Sequence, residues 1–170
     1  MKIMVITSTR ADFGIMSYLL QMLATSSRFD LRLVVTGTHL SSRFGYSINE
    51  IIADGIEISH KVDFPLECDG AGYLSESVGR VMGSFSSVIA AEKPDLLMVL
   101  GDRYEILPLV TVAVIQRVMI AHIHGGEVTL GAIDNKFRNA ITQMADVHFV
   151  ATAHAYSKVR ELCPNNQDIY

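Results

Sequence analysis

The chain has 170 residues, of which 49% are hydrophobic and 19% charged, and its formal net charge is −4. This composition predicts a folded domain, and it argues against a disordered chain and against a basic surface for nucleic acid or an anionic membrane. Two distant cysteines, Cys68 and Cys163, form no metal or redox motif, so we expect a reducing, cytoplasmic setting. No signal peptide or membrane span is predicted.

Short runs rich in Val, Ile and Leu alternate along the chain with longer helical stretches. This alternation predicts an α/β fold, a doubly wound parallel sheet of Rossmann-like type with strand order 3-2-1-4-5-6. The predicted strands are Lys2–Thr7, Leu31–Thr36, Glu57–Val62, Asp95–Leu100, Val118–Ile123 and Val147–Ala151. The predicted helices are Gly14–Ala24, Ser47–Ala53, Leu74–Ala91, Tyr104–Gln116, Lys136–Met144 and Ala153–Leu162.

The first candidate segment follows the first predicted strand, because ligands of such sheets bind beyond the carboxyl ends of the strands. Ser8–Gly14 contains neither GxGxxG nor GxxxxGK[ST], so no dinucleotide or P-loop cofactor site is predicted. Arg10 lies in a turn that opens a helix, where its guanidinium and free backbone N–H groups could hold a phosphate. Alternatively, Arg10 is a solvated charge and Asp12 caps the helix.

The fourth predicted strand is followed by Gly101-Asp102-Arg103-Tyr104-Glu105. A capping box explains this segment, with Asp102 as the N-cap and Glu105 reaching back from the third helical position. In the functional interpretation, Asp102 is a carboxylate at the edge of a cleft, available for proton transfer. The pattern alone leaves both interpretations open.

The fifth predicted strand ends in Ala121-His122-Ile123-His124-Gly125-Gly126-Glu127. Alternation along a strand predicts that His122 and His124 share one face, and the two glycines allow a sharp turn or a close approach to a ligand. No third and fourth ligand lie nearby, so no metal site is predicted. The remaining alternatives are an acid–base site and a structural turn with a buried, hydrogen-bonded histidine.

Asp134 precedes Arg138 by four residues in the next predicted helix. A helix cap with an i,i+4 ion pair is the structural explanation for this spacing. However, five candidate residues all fall at one predicted sheet edge. A structural interpretation needs a separate explanation for each of them, whereas a single functional site would explain all five. These candidates are Arg10, Asp102, His124, Glu127 and Asp134.

Four motifs together resemble the hydrolysing UDP-N-acetylglucosamine 2-epimerases over essentially the whole chain. They are Thr7–Gly14, Gly101–Glu105, His122–Glu127 and the stretch from Asp134 through Arg138 to Thr142. The resemblance implies that residues 1–170 are the N-terminal Rossmann-like domain of a two-domain enzyme with a GT-B-like fold. It also implies a UDP-sugar substrate, no cofactor and a homo-oligomer (dimer or tetramer). A C-terminal nucleotide-binding domain is implied as well and is absent from this chain, so the 170 residues alone should be inactive.

The implied reaction converts UDP-N-acetylglucosamine to N-acetylmannosamine and UDP, on the route to sialic acid, by elimination and then hydration. Such a reaction needs a base, an acid and stabilisation of the departing diphosphate. The resemblance implies that Asp102 and Asp134 are catalytic carboxylates. It implies that Arg10 contacts phosphate, that Arg138 positions substrate or Asp134, and that Arg103 and His122 bind substrate.

One position departs from part of the family. Some relatives carry a glutamate two residues after the strand-five histidine, where this chain has His124. Either His124 or Glu127 therefore transfers the proton, and we favour His124. The same motifs occur in relatives that act on UDP-2,4-diacetamido-2,4,6-trideoxy sugars, on the route to legionaminic acid, so the substrate stays open.

Two other classes of function are considered. Non-hydrolysing epimerases tend to carry Gly-Thr-Arg-Pro-Glu near the N-terminus and no His-Gly-Gly-Glu, so Ala11-Asp12 and Gly125-Gly126-Glu127 argue against that class. A non-catalytic sugar-nucleotide-binding domain is supported only by the short length. A reading frame that continues for about 200 residues with a second α/β pattern would exclude it.

Overall fold

The computed structural model describes residues 1–68, 70–129 and 133–170. Its strands are β1 Lys2–Thr7, β2 Asp30–Val35, β3 Ile58–Lys61, β4 Leu96–Leu100, β5 Met119–Ile123 and β6 Val147–Phe149. All neighbouring strands are parallel, and their order is β3-β2-β1-β4-β5-β6. The predicted fold class and the predicted strand order are therefore confirmed.

In the described part of the chain, six α-helices connect and follow the strands: α1 Arg10–Thr25, α2 Ile48–Ala53, α3 Ala71–Glu92, α4 Leu107–Ile115, α5 Asp134–Met144 and α6 Ala153–Leu162. Two short 3-10 helices, Gly37–Leu40 and Ser42–Phe44, lie between β2 and α2 and were not predicted. Within the described ranges, no helix combines the length and apolar character needed to cross a membrane.

The two faces of the sheet are both buried, which explains why the strand sequences are continuously apolar. Along β1, Met4 and Ile6 enter one hydrophobic cluster, whereas Ile3 and Val5 enter the other. Burial of each such side chain contributes about 1.5–3 kcal/mol. Because apolar side chains fill both faces, a polar site is expected at the ends of the strands.

The first helix begins earlier than predicted because Thr9, rather than Asp12, caps it. The Thr9 hydroxyl accepts a hydrogen bond from the Asp12 backbone N–H at 3.2 Å. Asp12 lies in the first turn, and its carboxylate accepts a hydrogen bond from the Ser8 hydroxyl at 2.8 Å. The alternative that Asp12 is the helix cap is wrong.

The fourth helix begins later than predicted. It starts at Leu107, after Ile106 at the N-cap position and with Pro108 in the first turn, where proline is well tolerated. Asp102 and Glu105 precede the helix and form no capping box. The capping-box interpretation of Asp102 and Glu105 is therefore wrong.

Three strand ends meet at the edge where the candidate residues were predicted to gather. β1 lies next to β4, and β4 lies next to β5, with Leu100 paired to Ile123. The backbone N–H of Gly101 still donates to the Ile123 carbonyl at 3.0 Å. Asp102 and His124, which come directly afterwards, therefore leave neighbouring strands at the same end of the sheet.

Candidate functional site

Asp102 is held by an arginine from another element. Its backbone follows Gly101, whose φ of 81° turns the chain away from β4 in a conformation that glycine adopts readily. From α5, Nη2 of Arg138 donates to the Asp102 carboxylate. The Arg138 side chain is only 8% exposed, and the Asp102 side chain is 20% exposed. A largely buried, charge-assisted hydrogen bond thus fixes the direction of this carboxylate.

Arg138 also binds the loop after β5. Its Nη1 donates to the Glu127 carbonyl oxygen at 2.6 Å and to Oδ1 of Asn135 at 3.3 Å. The predicted ion pair between Asp134 and Arg138 is wrong, because the guanidinium turns to Asp102 instead. Asp134 is the half-buried first residue of α5 and not its N-cap, which is Ile133.

His122 is a fully buried histidine inside β5. Its Nε2 lies 2.7 Å from the Gly101 carbonyl oxygen, which can only accept, so Nε2 carries the proton. Its Nδ1 then accepts from the Thr142 hydroxyl, at 3.2 Å. Burial lowers the pKa of His122 to about 4, which keeps the ring neutral near pH 7. These contacts favour the structural interpretation of His122 and leave no nitrogen for a substrate.

His124 lies outside the strand, and the prediction that it shares a face with His122 is wrong. Strand β5 ends at Ile123, and His124 has a φ of 62°, so the alternation of an extended chain stops before it. Its backbone N–H donates to the Phe149 carbonyl at 2.9 Å. The half-buried side chain therefore belongs to the sheet edge and not to the interior.

The two glycines after His124 are explained by packing within the protein. A Cβ on Gly126, which has a φ of 78°, would lie 2.3 Å from the Ala155 carbonyl oxygen of α6. A Cβ on Gly125 would lie 3.0 Å from Nδ1 of His122. The Gly125-Gly126 turn thus packs closely against α6 and the buried His122. Glu127, which follows the turn, is half-buried.

Arg103 is held by a buried carboxylate. Its Nη2 and Nε donate to Oε1 of Glu105 at 2.8 and 3.3 Å, and Glu105 is fully buried. Burial alone would lower the pKa of Arg103, but the hydrogen bond and charge of Glu105, together with the charge of Asp12, raise it above its usual value. The partly exposed guanidinium of Arg103 is therefore permanently charged, and its contact with buried Glu105 fixes its orientation.

Arg10 is the most exposed of the predicted site residues that form an ion pair. Its Nε lies 2.9 Å from Oε2 of Glu50 on α2, and the two side chains are 77% and 45% exposed. Both residues line a cleft of about 520 Å³ between α1 and α2. The structure therefore places Arg10 at the predicted edge but directs its side chain to Glu50, apart from the contacts of Arg138.

Buried hydrogen bonds of His39, which were not predicted from the sequence, connect two elements at the same edge. His39, which follows β2, is fully buried, and burial lowers its pKa. Its Nε2 lies 2.9 Å from the Thr7 hydroxyl and its Nδ1 lies 2.8 Å from the Ser47 hydroxyl. It therefore ties the end of β1 to the start of α2, which carries Glu50. The only sequence feature that could have indicated this role is the position of His39 shortly after the second predicted strand.

Together, the fold and the edge define a class of protein. The doubly wound parallel sheet is a Rossmann-like fold, and charged side chains follow β1 and β4 at the edge where ligands of such sheets generally bind. The family model for UDP-N-acetylglucosamine 2-epimerase matches residues 21–170. The chain belongs to this family.

Relatives agree with that assignment. The chain is 33% identical to the UDP-N,N'-diacetylbacillosamine 2-epimerase (hydrolyzing) of Legionella pneumophila, covering 99% of the chain and 45% of the relative. It is 30% identical to the UDP-N-acetylglucosamine 2-epimerase of Neisseria meningitidis, covering 99% of the chain and 44% of that protein. The chain thus spans less than half the length of these two curated relatives.

A solved structure supports the fold. The crystal structure of a UDP-N-acetylglucosamine 2-epimerase homologue from Listeria monocytogenes superimposes with a TM-score of 0.85 at 25% identity, covering 99% of this chain and 44% of that one. The matched part is the N-terminal half of a fold of GT-B type.

Proposed function

We propose that the chain is the N-terminal half of a hydrolysing UDP-sugar 2-epimerase. The observation that carries this proposal is the buried Arg138, which holds the Asp102 carboxylate at the sheet edge where His124 also emerges. Family membership supplies the reaction class. The proposal includes a C-terminal nucleotide-binding domain following this one, a cytoplasmic location and a homo-oligomeric assembly.

The proposed reaction begins with an elimination. A base removes the proton from C2 of the sugar, the C1–O bond to UDP breaks, and a C1=C2 double bond forms. Water then adds its oxygen to C1, and a proton returns to C2 from the opposite face. The products are UDP and the free 2-epimeric sugar. Catalysis requires proton transfer groups on the ring and positive charge at the diphosphate.

In this proposal, Asp102 and Asp134 are the catalytic carboxylates. The orientation of Asp102 supports its role, because a group that transfers a proton must keep a fixed geometry. His124 is the favoured partner for the second proton, and Glu127 is the alternative. The side chains of His124 and Glu127 are both half-buried at the sheet edge, which is compatible with proton transfer by either.

Arg10 is the proposed diphosphate contact, and Arg103 is a second cation near the reacting ring. The exposed pair with Glu50 supports the role of Arg10, because a carboxylate on a solvated guanidinium can be exchanged for a phosphate at little cost. Arg103 keeps its orientation through buried Glu105. His122 acts from within the protein by fixing the Gly101 turn.

Two substrates are candidates. The Legionella relative favours UDP-N,N'-diacetylbacillosamine, a 2,4-diacetamido-2,4,6-trideoxy sugar nucleotide. The Neisseria relative, at slightly lower identity, favours UDP-N-acetylglucosamine, which would give N-acetylmannosamine. The test uses a two-domain protein that contains this chain and measures UDP release from each sugar nucleotide. We expect release from one of them and none after Asp102→Asn. Release from neither would contradict the proposal.

A further inference from the structure

Arg138 connects three chain segments that carry proposed catalytic residues. Nη2 reaches Asp102 after β4, and Nη1 reaches the Glu127 carbonyl after β5. The arginine itself lies one helical turn after Asp134, at the start of α5. Because a guanidinium is planar and presents its donors in fixed directions, these contacts set the three segments relative to one another.

Asn135 extends this connection to the loop before α5. Its Oδ1 accepts from the Thr129 backbone N–H at 2.9 Å, and its Nδ2 donates to the Thr129 carbonyl oxygen. The same Oδ1 accepts from Nη1 of Arg138 at 3.3 Å. One amide therefore joins Thr129 to the start of α5 and attaches both to the arginine.

The surroundings of Arg138 leave little room for direct contact with a ligand. Its side chain is 8% exposed, and both terminal nitrogens already donate to protein oxygens. A ligand that took over one of these donors would leave either the Asp102 carboxylate or the Glu127 carbonyl without it. Loss of one partner of a buried charged hydrogen bond is costly.

We infer that Arg138 is a positioning residue for the Asp102 carboxylate, assisted by Asn135, and not a substrate contact. This inference rests on the proposed function, because it concerns how the reacting carboxylate is held. A displacement of about 1 Å at such a group lowers turnover by about 10²-fold. Removal of the guanidinium should therefore lower kcat and change KM little.

The first test is independent of activity. Side-chain NMR of the chain should show slowly exchanging Nη protons for Arg138, and Asp102→Asn should shift them and speed their exchange. Arg80 is the matched control, because its ion pair with Glu76 on α3 is about 60% exposed on both sides. Arg138 signals that do not respond to Asp102→Asn would overturn the inference, whether or not the protein is an epimerase.

The second test uses turnover by the two-domain protein. We expect Arg138→Gln to lower kcat about 10²-fold with KM within about threefold, and Arg138→Lys to recover part of kcat. Free guanidinium should partly rescue Arg138→Ala, and Arg80→Gln should behave as wild type. A tenfold rise in KM at unchanged kcat would overturn the inference in favour of a substrate contact.

Failure of the proposed function can be distinguished from failure of the inference about Arg138. If wild-type protein releases no UDP from either sugar nucleotide, the proposed function fails while the NMR result still decides the Arg138–Asp102 contact. If wild-type protein is active and Arg138→Gln keeps its full kcat, the inference alone fails. Should Arg138→Gln not fold, Arg138→Lys together with the NMR response to Asp102→Asn decides the question.

Discussion

The guanidinium–carboxylate pairs Arg10–Glu50 and Arg138–Asp102 lie at the same edge of the sheet, and their surroundings differ. Arg10 and Glu50 are 77% and 45% exposed, whereas Arg138 and Asp102 are 8% and 20% exposed. An exposed pair contributes about 0–1 kcal/mol, so its partner is easily exchanged. Breaking a buried pair from one side costs about 3–5 kcal/mol. The comparison supports the proposals that Arg10 contacts an anionic ligand and that Arg138 is part of the scaffold.

The largest expected effect sharpens the functional side of this comparison. If His124 transfers a proton to or from the sugar beside Asp102, His124→Gln should lower turnover of the two-domain protein by about 10²–10⁴-fold. His124→Glu should be milder, because it restores the residue of some relatives. Turnover and thermal stability are measured together. Full activity in His124→Gln with an inactive Glu127→Gln would transfer the role to Glu127.

The next largest effect is the loss of stability expected when the Arg138–Asp102 pair is broken. Arg138→Met leaves the Asp102 carboxylate without its cation, and we expect a loss of about 3 kcal/mol in the free energy of unfolding in urea, near the lower limit because Asp102 is partly exposed. Adding Asp102→Asn should recover part of this loss, since the uncompensated charge disappears. Equal stability of the single variant and wild type would show that the pair is not a scaffold.

Acid pH tests the buried histidine that supports the Gly101 turn. The pKa of His122 is lowered by burial to about 4, so the unfolded chain binds this proton more readily than the folded chain between about pH 6.5 and 4. Stability is therefore lost as the pH falls through this window, by roughly 3 kcal/mol from His122 alone.

The matched variant for this prediction is His122→Asn, which no longer titrates. His39 and His148 also have pKa values lowered by burial, so the difference between wild type and the variant is the relevant quantity. Urea unfolding between pH 7 and 4 should show a shallower decline in His122→Asn. Parallel curves would mean that His122 is not buried as a neutral group.

The smallest effect belongs to the exposed pair. Arg10→Met should change the free energy of unfolding by less than about 1 kcal/mol, because the pair with Glu50 is solvated. The same urea experiment as for Arg138→Met gives the comparison. A loss as large as that of Arg138→Met would remove the distinction between the two pairs.

The sequence predicted the fold well because the information is local and repeated. Continuous apolar strands require helices on both faces, and right-handed crossovers then restrict the strand order. The helix starts were predicted less well, because Thr9, Asp12 and Asp102 are all acceptable caps by residue type. Only the three-dimensional structure shows that Arg138 of α5 takes Asp102 as its partner.

The candidate edge was predicted from the positions of residues after strands, but the partners of those residues were not. Arg138 and Asp102 are 36 residues apart in sequence, and Arg10 and Glu50 are 40 apart. No local pattern specifies such pairs. For the same reason, the buried contacts of His39 with Thr7 and Ser47 escaped sequence analysis.

The central proposal, elimination followed by hydration at this edge, is tested most directly by the product that forms in deuterated water. The two-domain protein is incubated with UDP-N,N'-diacetylbacillosamine and, separately, with UDP-N-acetylglucosamine, and the products are identified by NMR. We expect UDP and a free 2-epimeric sugar that carries deuterium at C2 from one of these substrates. A sugar that stays linked to UDP, or a free sugar that keeps its original hydrogen at C2, would contradict the account.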